Sequence, residues 1–203
     1  MTRTGRPREF DLDVALDRAL SLFWEYGYEG TSLSDLLQTM GVSSASFYAA
    51  FGSKDHLFAR VMDRYRSQYG TVLDPLSDPA LSPRAALHTA LRRSASMQSD
   101  AAHPRGCLHA VSAGSQSLSA YELALGRRNT DRHRIAACVQ AGIDAGELEP
   151  ETDVDGLAAL FHAVLLGIST LARDDVDGAR LDAAVNHVME AWDAAAVSIS
   201  SFR

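Results

Sequence analysis

Two cysteines and one lysine are all that 203 residues contain of either type; the other 18 basic side chains are arginine. Cys107 and Cys138 cannot build a disulfide framework; they suit a reducing cytoplasm and the role of small buried hydrophobes. Seven histidines are present, and His103 and His109 flank Cys107, but no Cys-x-x-Cys, no His-x-x-x-His and no paired second half completes a zinc pattern. Gly114-Ser115 lacks the flanking glycine of a nucleophile elbow, and no phosphate loop occurs. No catalytic set remains, so the chain is expected not to be an enzyme and to hold no cofactor and no metal. No apolar run reaches the ~20 residues of a bilayer span. The start, MTRTGRPREF, has charge without a following apolar core, unlike a signal peptide. A cytoplasmic protein without a membrane partner is expected. Alternating strand patterns are missing too, which leaves an all-α chain.

Charge is unevenly spread. The total is −7, yet residues 1–10 carry Arg3, Arg6 and Arg8 against Glu9, while residues 67–203 carry 11 Arg against 17 acids. A local basic footprint can coexist with an acidic whole. The polar arm before residue 10, with Gly5 and Pro7, is of the kind that enters a minor groove beside a DNA-reading helix; a tail without a role is the plainer alternative.

The most informative stretch is TSLSDLLQTMGVSSASFYAAFGSKDHLF, residues 31–58. Leu33, Leu36, Leu37 and Met40 fall at the spacing of one buried helix face, and Ser32 stands where it can cap the first turn. Gly41 ends that helix in the manner of a left-handed cap. Ser43 or Ser44 then caps a second short helix, which Phe47 and Phe51 bury against the first. Two short helices joined by a tight glycine turn describe a helix-turn-helix. Ahead of it, Leu12, Leu16, Leu20 and Phe23, flanked by Ala15, Ala19, Leu22 and Tyr26, predict a bracing helix, with Trp24 packed against the reader helices. Lys54 opens a longer helix carrying Leu57, Phe58, Val61, Met62 and Tyr65, and a helix start favours a phosphate.

The run GVSSASFYAAFGSKDHLF resembles the signature of TetR-type transcriptional regulators: a Gly-Val turn, a Tyr in the recognition helix and a Phe-Gly-Ser-Lys step. With the preceding helix the likeness covers residues 10–65. It implies a three-helix DNA-binding head (residues 1–69, with an arm over 1–9) and a helical ligand-sensing and dimerisation body (70–203). It also implies phosphate contacts from Tyr48 and Lys54. Arg3, Arg6, Arg8, Thr31, Ser32, Ser43, Ser44, Ala45 and Ser46 complete the expected DNA-binding set. The function implied is a one-component regulator, a repressor bound to a palindromic double-stranded operator as a homodimer and released by a small-molecule effector. The alternative is a helical ligand carrier or enzyme with a vestigial head.

In the body, Pro75, Pro79 and Pro83 mark a boundary. Helices are predicted over 83–98, 108–117 and 120–145. Two apolar stripes follow: Leu157, Leu160, Phe161, Val164, Leu165, Ile168 and Leu171, then Leu181, Val185, Val188, Met189, Trp192 and Ile199. Each comes after a copy of Asp-Val-Asp-Gly, which reads as helix capping because neither copy has the ligand spacing of a calcium loop. By the resemblance the two stripes pair with a second subunit, through Phe161, Val164, Gly167, Ile168, Val185, Val188 and Trp192; burial within one subunit is the alternative. Isolated polar groups among apolar ones give a candidate ligand-binding set of Met97, His109, Ser112, Gln116, Tyr121, Cys138 and His162. The arginines 127, 128, 132 and 134 form either an anion clamp or a solvated, acid-paired face.

Overall fold

The computed structural model describes residues 11–196, so Arg3, Arg6, Arg8 and Ile199 lie outside the described residues. Every regular element among those residues is helical, apart from one isolated bridge between Leu148 and Ala196. The all-α expectation is met. The helices are α1 (Leu12–Tyr26), α2 (Leu33–Met40), α3 (Ser44–Phe51), α4 (Lys54–Tyr69), α5 (Pro83–Ser99), α6 (Leu108–Val111), α7 (Leu118–Asp144), α8 (Val154–Arg173), α9 (Gly178–Val188) and α10 (Glu190–Ala194). A 3₁₀ run, Gly70–Ser77, continues α4 into the body and buries Leu73 and Pro75.

Local chemistry places the ends. Asp11 caps α1, Ser53 caps α4, Ser82 precedes Pro83 at the start of α5, and Ser117 caps α7. The two Asp-Val-Asp-Gly copies do cap helices, in different registers. Asp153, first in its copy, accepts from Gly156 N, whereas Asp177, third in its copy, accepts from Arg180 N. Asp175 takes the left-handed conformation, φ 60°, that moves the second cap along.

Two apolar clusters form the interior. The first joins α1 to α4 and reaches into α6 and α7 through Leu108, Ala120 and Ala124. The second lies among the 3₁₀ run, α5 and α7 to α10, with Trp192 and Phe161 at its bulky end. Trp192 packs so closely on Gly142 that a Cβ there would sit 2.7 Å from the indole. Ion pairs Arg84–Asp193 and Arg92–Asp182 fasten α5 to the last helices.

Several sequence expectations need correction. Leu12 (44% exposed) and Tyr26 (62%) lie off the buried face of α1. Trp24 is buried, but against α4 and the loop before α6 rather than against α2 and α3. The helix expected over 108–117 is a four-residue turn followed by a 3₁₀ turn, Ser112–Gly114, and the terminal helix breaks at Met189. Between Asp155 and Arg173 no charge interrupts the sequence, so α8 is long and apolar enough by length and composition to cross a membrane, contrary to the expectation of no such run. Only 28% of that stretch is buried within the chain.

Candidate nucleic-acid interface and body cavity

The reader unit is built from short-range hydrogen bonds. Ser32 accepts from Asp35 N while Asp35 accepts from Ser32 N, a reciprocal capping box that fixes the start of α2. Gly41, at φ 70° and ψ 35°, closes α2 in the left-handed conformation that a side chain would strain. Ser43, the cap of α3, accepts from Ser46 N. Phe47 and Phe51 are buried beneath, which leaves Ser44, Ala45, Tyr48 and Ala49 exposed and Ser46 half-buried on the outer surface of α3. Tyr48 is 51% exposed and free to meet a backbone. Thr31 does not share that surface. Its side chain is buried and donates to the Gly27 carbonyl at 2.7 Å, so it holds the α1–α2 turn instead of facing a ligand.

Lys54 opens α4 just past the Ser53 cap, half-buried, with its ammonium 4.0 Å above the Tyr28 ring. Burial lowers its pKa, while Glu29 and Asp55 nearby oppose that shift. Tyr28 donates to Asp55, and burial with that bond pushes the phenol up to about 12. His56 and Arg60, both exposed on α4, add basic groups to the same end of the head; Arg60 lies 5.0 Å from the Phe51 ring.

Hydrogen bonds tie the α1–α2 region to the body. Glu29 accepts from Ser115 Oγ, Gln116 N and Ser117 N, each at 2.9 Å, at the start of α7, and these bonds hold its carboxyl below the usual range. Arg173, at the end of α8, donates to the Trp24 and Glu25 carbonyls at 3.2 and 2.8 Å, where cations suit the end of α1. Trp24 itself donates to the Gly106 carbonyl at 3.1 Å, stacks on His103 and meets Tyr65 and Tyr69 edge-on.

Tyr65 and Tyr69 also line a body cavity of about 290 Å³, at the small end of ligand pockets. Of the sequence candidates, Met97, His109 and His162 line it. The other four do not. Cys138 donates its thiol to the Pro83 carbonyl between α5 and α7, and burial pushes it up to about 11. Ser112 is buried outside the cavity, Gln116 is exposed at the head–body junction, and Tyr121 is exposed on α7. Sequence reasoning missed Ser94, Gln98, Tyr65, Tyr69 and Cys107, whose thiol burial pushes up. Ser94 and Gln98 interrupt the apolar stripe of Leu87, Ala90, Leu91 and Ala95 on α5, a signal that could have found them. Arg127 pairs with Asp63, Arg128 donates to the His109 carbonyl, and Arg134 meets Leu73 O and Asp74. Two of the four arginines are therefore acid-paired, and Arg128 is buried.

The proposed interface residues divide sharply. Phe161, Ile168, Val185 and Trp192 are at most 1% exposed within a single chain and cannot be a contact surface. Val164 and Val188 are half-buried, and Gly167 is exposed.

Comparison with known proteins agrees with this arrangement. Residues 15–61 match the family model for bacterial regulatory proteins of the tetR family, and residues 83–188 match that for the tetracyclin repressor-like C-terminal domain. The chain belongs to the TetR family. Among curated TetR-like relatives, the HTH-type transcriptional repressor ComR of Escherichia coli (strain K12) is 31% identical over 192 residues, covering 93% of this chain and 91% of ComR. A solved structure of the TetR family transcriptional regulator CifR, a cysteine mutant in complex with 26-bp double-strand operator DNA, is 35% identical. It superposes with a TM-score of 0.85 over 92% of this chain and 100% of that one. A TetR regulator from Chloroflexus aurantiacus, 24% identical with a TM-score of 0.79, shares the fold. The protein is a transcriptional regulator of the TetR type, with an N-terminal helix-turn-helix and a C-terminal helical domain.

Proposed function

We propose that this regulator is a cytoplasmic repressor that binds a palindromic double-stranded operator as a homodimer and is released when a small molecule enters the body cavity. The observation that carries the reading is the double membership of α4. Leu57, Phe58, Val61 and Met62 belong to the head's core, while Tyr65 and Tyr69, one and two turns on, face the cavity. A ligand that displaces either ring must move the helix supporting the reader, and Trp24 passes the same displacement to α1. Release then requires that the ligand bind the displaced arrangement more tightly than the DNA-bound one.

On α3 the side chains offered to a groove are serine hydroxyls, alanine methyls and Tyr48. None makes the bidentate base contacts of Arg, Asn or Gln, each worth about 1–3 kcal/mol. Each head therefore reads weakly, with preference for thymine methyls, and two heads must act together. Tyr48, Lys54 and the serines at 32 and 43 position the head on phosphates, with Arg3, Arg6 and Arg8 reaching an adjacent minor groove.

The second copy covers the outer face of α8. Leu160 (42% exposed) and Leu171 (41%) stand there with exposed Ala159, Ala163, Gly167 and Thr170, and no atom lies within 4 Å of where a Gly167 Cβ would be. Small residues let a second helix approach, and the leucines supply apolar area. Phe161 and Ile168 support this face from behind.

A mobility-shift assay on a pool of genomic fragments tests the reading. Sequence-specific retention as a two-chain complex is expected. Absence of specific retention at modest salt favours a ligand carrier or enzyme with a vestigial head.

A further inference from the structure

The cavity is unusual in what it leaves unpaired. Four buried polar side-chain atoms in its wall have no hydrogen-bond partner among the described residues: Ser94 Oγ, Gln98 Oε1, His109 Nε2 and His162 Nε2; Tyr65 Oη lies beside them, close to the Cys107 thiol. Tyr65, Ser94 and Gln98 are at most 2% exposed, and His109 is 8% exposed. Buried polar groups are almost always satisfied, so an unpaired set converging from α5, α6 and α8 is a binding surface waiting for complementary atoms.

Their chemistry constrains the occupant. Gln98 Oε1 only accepts, and rotation of the amide presents an N–H that only donates; a hydroxyl complements either. His109 Nδ1 lies 3.8 Å from the Asp131 carboxylate, and its Nε2 can meet a hydroxyl as donor or as acceptor. Ser94 and Tyr65 adapt to a hydroxyl in either sense. Together these groups ask for a hydroxyl that both donates and accepts.

The lining also carries charge. Arg134 is neutralised by Asp74 and Arg127 by Asp63, which leaves Arg66 and Arg128 against Asp131. Arg128 spends one N–H on a backbone carbonyl, so its charge stays uncompensated, and exposed Arg66 has no ion pair among the described residues. The balance is positive and disfavours an amine. Val72, Met97, Leu165 and Leu166 add apolar wall. At the roughly 30 Å³ that a water molecule occupies, 290 Å³ holds about ten non-hydrogen atoms.

We infer that the cavity binds a compact hydroxylated organic acid, with its hydroxyl among Gln98, Ser94, Tyr65 and His109 and its carboxylate toward Arg66 and Arg128. This names the effector class for the release mechanism above and rests on that reading for its regulatory meaning, though not for binding itself.

Titration calorimetry on the full-length, DNA-free protein tests it with four probes: para-hydroxybenzoate, benzoate, para-hydroxybenzyl alcohol and tyramine. The first should bind at least about tenfold more tightly than each of the others, because each lacks one complementary group or reverses the charge. Gln98→Met should bring para-hydroxybenzoate down to the benzoate level, and Arg66→Gln should bring it to the level of the alcohol. If either variant fails to fold by circular dichroism, the ranking on the unaltered protein decides. Binding of benzoate, the alcohol or tyramine as tight as para-hydroxybenzoate, or no heat from any probe at millimolar concentration, overturns the inference. Release of DNA by an unrelated compound, with no binding of the hydroxy acid, would overturn it while sparing the repressor reading. Binding of the hydroxy acid without any change in DNA affinity would do the reverse.

Discussion

Replacing Trp24 by Phe should loosen the head from the body without touching any DNA-facing side chain. The indole is 1% exposed, stacks on His103 at 4.5 Å, meets Tyr65 and Tyr69 at 4.8 and 4.7 Å, and bonds the buried Gly106 carbonyl. A phenyl ring keeps much of the aromatic packing but loses the donor. Leaving that carbonyl unpaired costs about 1–3 kcal/mol. The missing ring leaves a void on the order of 40 Å³, worth roughly another 1 kcal/mol. A loss of about 2–4 kcal/mol is therefore expected, against a total that in domains of this size is rarely above ~15 kcal/mol. Urea denaturation followed by circular dichroism measures it, with the slope against denaturant checked for constancy. Trp192, the one tryptophan left, reports the body alone by fluorescence. DNA release by the effector should also need a higher concentration in the variant, since the link from cavity to α1 is weakened. A destabilisation below ~0.5 kcal/mol at unchanged slope would mean that the indole does not hold the two parts together.

Lys54→Ala should weaken operator and random DNA alike and reduce the salt slope by roughly one unit per subunit, as loss of one phosphate contact requires; an unchanged slope would remove Lys54 from the interface. Leu160→Asp should give a folded monomer by sedimentation, whereas Trp192→Asp should unfold the body by placing a charge among Phe161 and Gly142. A folded Leu160→Asp dimer would refute the α8 face. Burial and the nearby Arg132 and Arg128 hold the His162 imidazole below its ordinary pKa of 6.5, with Asp131 opposing them. Protonation thus favours the unfolded chain, so stability should fall as pH drops below about 6.5, and less so in His162→Gln. An identical pH dependence in melting curves of the two proteins would contradict the assignment.

The head was legible because its determinants are local. The spacing of Leu33, Leu36, Leu37 and Met40, the Ser32 cap and the Gly41 turn act over a few residues each, and all three appear in the structure as expected. The body was legible as helices but not as surfaces. On α8, apolar residues occupy both the face packed on α5, α7 and α9 and the face left uncovered, so hydrophobicity could not separate Phe161 from Leu160. Size misled at Trp192: the space beside Gly142, 50 residues away, takes the indole inward. Thr31 looked like a surface hydroxyl, yet the chain reversal at Gly27 supplies a carbonyl that draws it in. Gln98 and Ser94 sit at core spacing on α5, and only the convergence of four helices makes them a site.

Footprinting of the full-length protein on its retained genomic fragment, followed by substitution of every base pair in the protected region, tests the two-headed DNA-binding account most directly. The account predicts an inverted repeat in which disrupting either half-site abolishes retention and the largest losses fall on thymine-bearing positions. A single undivided site, or losses concentrated on guanines read in the major groove, would contradict it.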